Sequence, residues 1–267
     1  MFDLSSIRKS GGRAYPPRVF IYGGPKIGKT TFGAEAPKPI FIQTERGTDA
    51  LSVDVFPFCQ TWADIANCFE ILATQDHDYQ NVVLDSADWT ENILKAQVAR
   101  DAGVIDQKTG EGVFDTNSKA LSFGRGARAV EEYWHRITDS FDYLREAKNM
   151  GCIVISHAAV KRYDDPTSEA YDRYQPDLLK DSAAVLQEWS DVIIFANKPP
   201  SVISEKVGIQ GVKKRAVSSE QRLMYTSETP AFKAGSRWNI PTEMPLGYNH
   251  LITAINEARS RANPQQA

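Results

Sequence analysis

The stretch Val19-Phe-Ile-Tyr-Gly23-Gly-Pro-Lys-Ile-Gly28-Lys29-Thr30-Thr31 constrains the fold more than any other part of the chain. An apolar strand runs into a Gly-rich turn, and a helix starts directly after it. The spacing from Gly23 to Gly28-Lys29-Thr30 fits G-x-x-x-x-G-K-[ST], the phosphate-binding P-loop. Each residue type has a reason. Glycines let main-chain N–H groups turn inward and surround phosphate oxygens. The helix that follows offers free N–H groups and its positive dipole end to the same anion. Lys29 supplies a mobile cation to the β- and γ-phosphates, and Thr30 a hydroxyl to Mg2+. Gly23, Gly24, Pro25, Lys26, Ile27, Gly28, Lys29, Thr30 and Thr31 are the expected nucleotide cradle.

Further apolar strands follow, and several stop at polar groups. Pro39-Ile-Phe-Ile-Gln-Thr-Glu45 reads as a second buried strand with an acid at its carboxyl end. Asn81-Val-Val-Leu-Asp85-Ser86 is a third, and its place after the P-loop makes it the Walker B strand. Asp85 is expected to hold Mg2+ through a water, and Ser86 to cap the next helix. No Glu follows Asp85, so the base that orients the attacking water must come from elsewhere. Glu45 is the natural supplier. Cys152-Ile-Val-Ile-Ser156-His157 is another buried strand. Ligands in open α/β sheets sit outside the carboxyl ends of the strands. His157 is therefore placed to sense a γ-phosphate, with a purely structural histidine as the alternative.

Between these strands lie two long polar stretches. Residues 101–127 read as a functional loop or a disordered one, with Arg125 and Arg128 facing either phosphate or solvent. Residues 158–176 read as a second loop in which Lys161, Arg162, Tyr163 and Arg173 interleave cations with aromatics. That suits single-stranded DNA, whose phosphates take cations and whose bases stack on Tyr. Acids equal or outnumber bases there, so a solvated surface loop stands beside that reading. Lys213-Lys214-Arg215 is the densest basic cluster, among short antiparallel strands between Val202 and Tyr225. It either meets DNA or protects a sheet edge. Amphipathic helices are expected at 128–149, from an Asp177 cap to Trp189, and from His250 to about Arg261.

Composition narrows the class. A net charge of −3 over 267 residues gives no globally basic nucleic-acid binder, so any DNA surface must be local. Cys59, Cys68 and Cys152 form no C-x-x-C, which points to buried thiols in a reducing compartment rather than zinc or disulfides. No apolar run reaches membrane-spanning length, and the expected location is the cytoplasm. The expected organisation is a flexible basic arm (1–17), one core (18–248) and a C-terminal helix with a polar tail (249–267).

This order of motifs resembles the RecA-type P-loop ATPase core. More closely, it is similar to phage ATP-binding proteins of the AAA-domain kind, which include RecA-like single-strand annealing proteins. Tyr22 to Thr31, Val82 to Ser86, Val154 to His157 with Lys161 to Asp165, and Arg237-Trp-Asn-Ile-Pro241 carry the likeness. It implies an α/β fold with a mostly parallel sheet and a C-terminal antiparallel extension. It also implies ATP and Mg2+ as ligands, single-stranded DNA as partner, and a homo-oligomer as either ring or filament. A single-strand-binding protein is a further partner in that reading, and a phage-encoded chain would act in the bacterial host cytoplasm. By position, Glu45 matches the catalytic glutamate, and His157 a polar sensor leading into a DNA-binding loop. Lys233 and Arg237 resemble in placement a Lys-x-Arg pair inserted into a neighbour's ATP site. The spacing Lys-Ala-Gly-Ser-Arg departs from that pattern, which favours Arg237 over Lys233. Two rivals remain: a P-loop kinase of a small metabolite, and a non-hydrolysing, ATP-dependent replication scaffold.

Overall fold

The computed structural model describes residues 3, 15–167, 169–207, 211–218 and 221–262, with only the main chain described across 200–218. The chain opens with strand β1 (Arg18–Gly23), helix α1 (Lys29–Ala34), β2 (Pro39–Gln43), β3 (Asp54–Val55), α2 (Trp62–Thr74), β4 (Asn81–Asp85) and α3 (Ala87–Asp101). It continues through α4 (Arg125–Ala147), β5 (Gly151–Tyr163), β6 (Tyr171–Pro176), α5 (Lys180–Trp189) and β7 (Val192–Asn197). The last part holds β8 (Pro200–Val207), β9 (Gly211–Ser218), β10 (Leu223–Tyr225), β11 (Gly235–Ser236), β12 (Glu243–Pro245) and α6 (Tyr248–Ala262).

The main sheet runs β12-β10-β7-β1-β5-β4-β2-β3. From β7 to β3 every pairing is parallel, and β10, β11 and β12 add antiparallel pairs. This is the expected α/β architecture, a mostly parallel sheet with an antiparallel extension. The central strands are near-continuous apolar runs because both faces are covered. Alternation divides their side chains. Phe20, Val82, Leu84 and Val154 pack under α2, α3, α4 and α5, through residues such as Ile65, Leu94, Trp134 and Leu186. Val19, Ile21, Val83, Ile153 and Ile155 pack against α1 and α6, through Phe32, Leu251 and Ile255. Thr61 caps α2 with Asp64 in a reciprocal capping box, as its sequence suggests. Among the described residues, no helix is long and apolar enough to cross a membrane.

Two local expectations are corrected and one is narrowed. Residues 158–176 are not a loop: β5 runs past the sheet to Tyr163 and pairs antiparallel with β6, Val160 opposite Tyr174 and Tyr163 opposite Tyr171. Aromatic and β-branched residues at these cross-strand positions favour a hairpin. Of residues 101–127, those between α3 and α4 (102–124) form an ordered loop built from local turns. Asp106 accepts from the N–H groups of Lys108 and Thr109, Ile105 bridges Gly112, and Leu121 is buried. Asp177 does not cap α5, which starts at Lys180. The side chain of Glu91 on α3 instead accepts the Leu179 N–H at 3.0 Å. Of the N-terminal arm, residues 15–17 belong to the folded body: the Tyr15 and Pro16 carbonyls accept from Arg259 and Arg145. Residues 1, 2 and 4–14 lie outside the described residues.

Candidate nucleotide site

The carboxyl ends of β1, β2, β4 and β5 meet at one rim of the sheet, and the P-loop joins β1 to α1 there. Gly23 must be glycine, because a Cβ would stand 2.3 Å from the Ala196 carbonyl oxygen on β7. Gly28 has φ +111°, in the left-handed region that costs L-residues energy. The loop borders a cleft of about 430 Å³, lined also by Glu45, Arg46, Asp85, His157 and Arg222. That volume lies in the range of small-molecule sites.

Lys29 is buried and its Nζ donates to the Gly23 and Gly24 carbonyls at 3.0 and 2.9 Å. Burial pulls its pKa below the ordinary lysine value, against the opposing pull of Asp85, Asp88 and Glu45. The Thr30 hydroxyl donates to Asp85 Oδ2 at 2.8 Å. Burial pushes the Asp85 carboxyl up to about 6; the Thr30 hydroxyl opposes this and the nearby Glu45 charge adds to it. A hydroxyl and a carboxylate side by side form the hard oxygen set that Mg2+ takes, completed by phosphate and water oxygens. The cradle and this oxygen pair therefore fit a nucleoside triphosphate with Mg2+.

Glu45 lies two residues beyond β2. Its N–H and that of Thr44 both donate to the Asp85 carbonyl, which carries the strand's course on to the rim. Ser86 occupies the N-cap position of α3, but its hydroxyl makes no cap hydrogen bond. It donates to Glu45 Oε2 at 3.1 Å instead, which corrects the capping role expected from sequence. Thr44 holds Ser86 from the other side: its hydroxyl donates to the Ser86 carbonyl and accepts from the Ser86 N–H.

His157 ends the in-sheet part of β5, directly opposite Gly23. Asp88, in the first turn of α3, accepts the His157 main-chain N–H at 2.9 Å and lies 2.9 Å from Nδ1. Glu45 Oε2 is 3.8 Å from the same nitrogen. The Asp88 hydrogen bond raises the His157 pKa, against burial and the Lys29 charge. Burial works to raise the Asp88 pKa, but the hydrogen bonds from His157 outweigh it and leave the carboxyl below its usual range. Ligand atoms of Glu45, Asp88 and His157 fall within 4.8 Å of one another. With Nδ1 donating to an ionised Asp88, the ring keeps Nε2 as its remaining polar atom.

The other expected residues lie elsewhere. Arg237 sits at the opposite rim, where β1 and β7 begin: its main-chain N–H donates to the Asp191 carbonyl, and its guanidinium lies 3.3 Å from Asp191 Oδ1. Asp191 also takes Arg18 and Arg145. The Arg237 side chain is 56% exposed. Lys233 lies 3.7 Å from Glu228, and its carbonyl accepts the Tyr22 hydroxyl. Arg173 is buried, donating to Glu228 and the Thr229 carbonyl, with its guanidinium over the Tyr163 ring. Lys161 donates to the Pro176 and Leu178 carbonyls. Arg162, by contrast, is 73% exposed beside Asp164. Lys213, Lys214 and Arg215 lie on β9, paired with β8; their side chains lie outside the described residues. Arg125 donates to the Lys119 and Ser122 carbonyls of its own loop rather than to the cleft.

Two residues of the site are not announced by any motif. Asp88 reads in sequence as an ordinary acid in a helix's first turn. Arg222 comes from far along the chain and lies against Gly28.

Residues 15–238 match a protein family described as an AAA domain. No curated protein matches the chain. Among solved structures, a RadB recombinase is similar with a TM-score of 0.40 and 13% identity, over 80% of this chain and 82% of that one.

Proposed function

We propose, on the premise that this chain belongs to the AAA domain family, that it is a Mg2+-dependent ATPase acting on single-stranded DNA in phage recombination, annealing or repair. One observation carries the reading: four strand ends bring the P-loop lysine, the Thr30–Asp85 oxygen pair, Glu45 and the Asp88-held His157 around one cleft.

In this reading Lys29 leaves the Gly23 and Gly24 carbonyls for the β- and γ-phosphates, and Thr30 and Asp85 hold Mg2+. ATP and Mg2+ supply the anhydride to be cleaved and the charge that eases its cleavage. Glu45 accepts the proton of the attacking water, and its Ser86 hydrogen bond fixes the carboxylate. His157 points its free ring nitrogen at the γ-phosphate and, as the root of the β5–β6 hairpin, links that contact to the hairpin. Single-stranded DNA lies along the hairpin's outer surface, where Arg162 is exposed, and along the Lys213-Lys214-Arg215 strand. Arg173 and Lys161, bonded within the protein, support the hairpin rather than meet DNA. A neighbouring copy supplies Arg237 to the γ-phosphate; Lys233, which lies with Glu228 beside the hairpin, takes no part in that contact. The rim on which Arg237 sits supports this, since it faces away from the P-loop of its own chain.

The test is ADP formation without any acceptor, measured with and without single-stranded DNA, alongside light scattering for mass. DNA-stimulated hydrolysis by an assembly is the expected result. Hydrolysis only with a small-molecule acceptor would make the protein a kinase. Binding without turnover, with or without DNA, would make it a scaffold.

A further inference from the structure

The nucleotide cleft has a cation that the P-loop motif does not supply. Arg222 directly precedes β10, and its carbonyl accepts the Leu246 N–H at 3.0 Å just beyond β12. The antiparallel extension is thereby laid over the loop. Arg222 Nη1 stands 3.0 Å from the point a Cβ on Gly28 would occupy, and Leu246 Cδ2 stands 3.4 Å from it. Gly28 directly precedes Lys29, so the guanidinium stands against the P-loop itself.

Its surroundings differ from those of the ion-paired arginines, and the cleft's other arginine, Arg46, lies with its guanidinium over the Phe58 ring. Arg18, Arg145 and Arg237 converge on Asp191, Arg173 lies on Glu228, and Arg162 lies beside Asp164. Among the described residues, the Arg222 guanidinium has no ion-pair or hydrogen-bond partner. The cleft's acids, Glu45 and Asp85, are engaged with Ser86 and Thr30. Lys26 and Lys29 line the same cleft, so an anion bound there would meet cations from the P-loop and from the extension. Its planar fork matches two oxygens of a phosphate, a match an ammonium cannot reproduce.

We infer that Arg222 is a phosphate-binding residue of the nucleotide site, supplied within the same chain by the antiparallel extension and directed at the phosphate chain of ATP over Gly28. The inference rests on the nucleotide reading above and deepens it: the cradle is two-sided, with the P-loop as one wall and the β10–β12 pair as the other.

The test is calorimetric titration of the full chain with ATP, in the presence and absence of Mg2+, for the unsubstituted protein, Arg222→Gln and Arg222→Lys. Loss of a charge-assisted contact should weaken ATP binding roughly 10–100-fold in Arg222→Gln, with partial recovery in Arg222→Lys. The nucleotide-free melting temperature should stay unchanged, since nothing in the fold leans on the guanidinium. Equal ATP affinity in Arg222→Gln and the unsubstituted chain would overturn this inference alone. No ATP binding by the unsubstituted chain would overturn the nucleotide reading and this inference with it.

Discussion

The Asp88 carboxylate grips His157 twice, one oxygen accepting the main-chain N–H and the other lying 2.9 Å from Nδ1. A ring held this way has one tautomer, one orientation and a preference for its charged form. The sign can be worked out for the pair. The His157 contribution to stability is complete below its ordinary value of 6.5 and is lost as pH rises through the raised folded value. The Asp88 contribution is present above 3.8 and is lost as pH falls through its lowered folded value. Asp88→Asn should therefore drop the His157 titration point, followed by NMR of the imidazole protons, because burial and Lys29 are then opposed by the Glu45 charge alone. An unmoved titration would mean that Asp88 does not set the charge of the ring.

Glu45→Gln should keep ATP affinity within a few-fold and cut turnover by roughly 100-fold or more, the usual scale for losing a general base. Single-turnover hydrolysis beside equilibrium ATP binding separates the two effects. Unchanged turnover would remove Glu45 from the chemistry.

Asp85 sits buried with its carboxyl pushed up to about 6, so the folded chain favours its neutral form. That contribution is complete below the ordinary 3.8 and is lost as pH rises through about 6. Asp85→Asn, a standing neutral form, should raise the nucleotide-free melting temperature at neutral pH, a gain on the order of 1–3 kcal/mol. It should also abolish the added stability that Mg2+ gives the ATP complex. A lower melting temperature would indicate that Thr30 needs the charged partner to hold its place.

Arg237 is more than half exposed and shares Asp191 with Arg18 and Arg145, so its loss should cost no more than about 1 kcal/mol of stability. If it works in a neighbour's site, Arg237→Ala and Lys29→Ala should each be inactive alone and regain activity when mixed. Mixed assemblies pair an intact P-loop with an intact Arg237. Two inactive proteins that stay inactive together would sink the trans role.

Much of the fold and part of the site can be read from the chain without coordinates. Val19 to Tyr22 and Val82 to Leu84 are continuous apolar runs, and only a strand covered on both faces tolerates that. Gly28 and Lys29 belong to a loop whose chemistry is local, so an eight-residue motif carries it. The hairpin at 158–176 escaped because its order comes from cross-strand pairing and from carbonyls that hold Lys161, while its composition is that of a polar loop. The start of α5 escaped for a related reason: the N–H of Leu179, just before the helix, is met by Glu91, on a helix distant in sequence, while the local Asp177 looked like the cap. Asp88 and Arg222 are ordinary residues by type. Only the fold brings one to His157 and the other to Gly28.

If Arg237 serves a neighbour's site, its place in the ion cluster at Asp191 sets the geometry of the assembly. β1 begins beside that cluster and ends in the P-loop, so the two regions stand a strand's length apart, on the order of 17 Å for five or six residues. A copy that offers Arg237 from one rim and receives a neighbour's at the other has a front and a back. Copies joined that way all point in one direction, and the contact between them is heterologous. Such a stack either closes into a ring or grows as a polar fibre with two unlike ends. Only one end would then carry an uncompleted P-loop, which gives growth along a DNA strand a built-in sense.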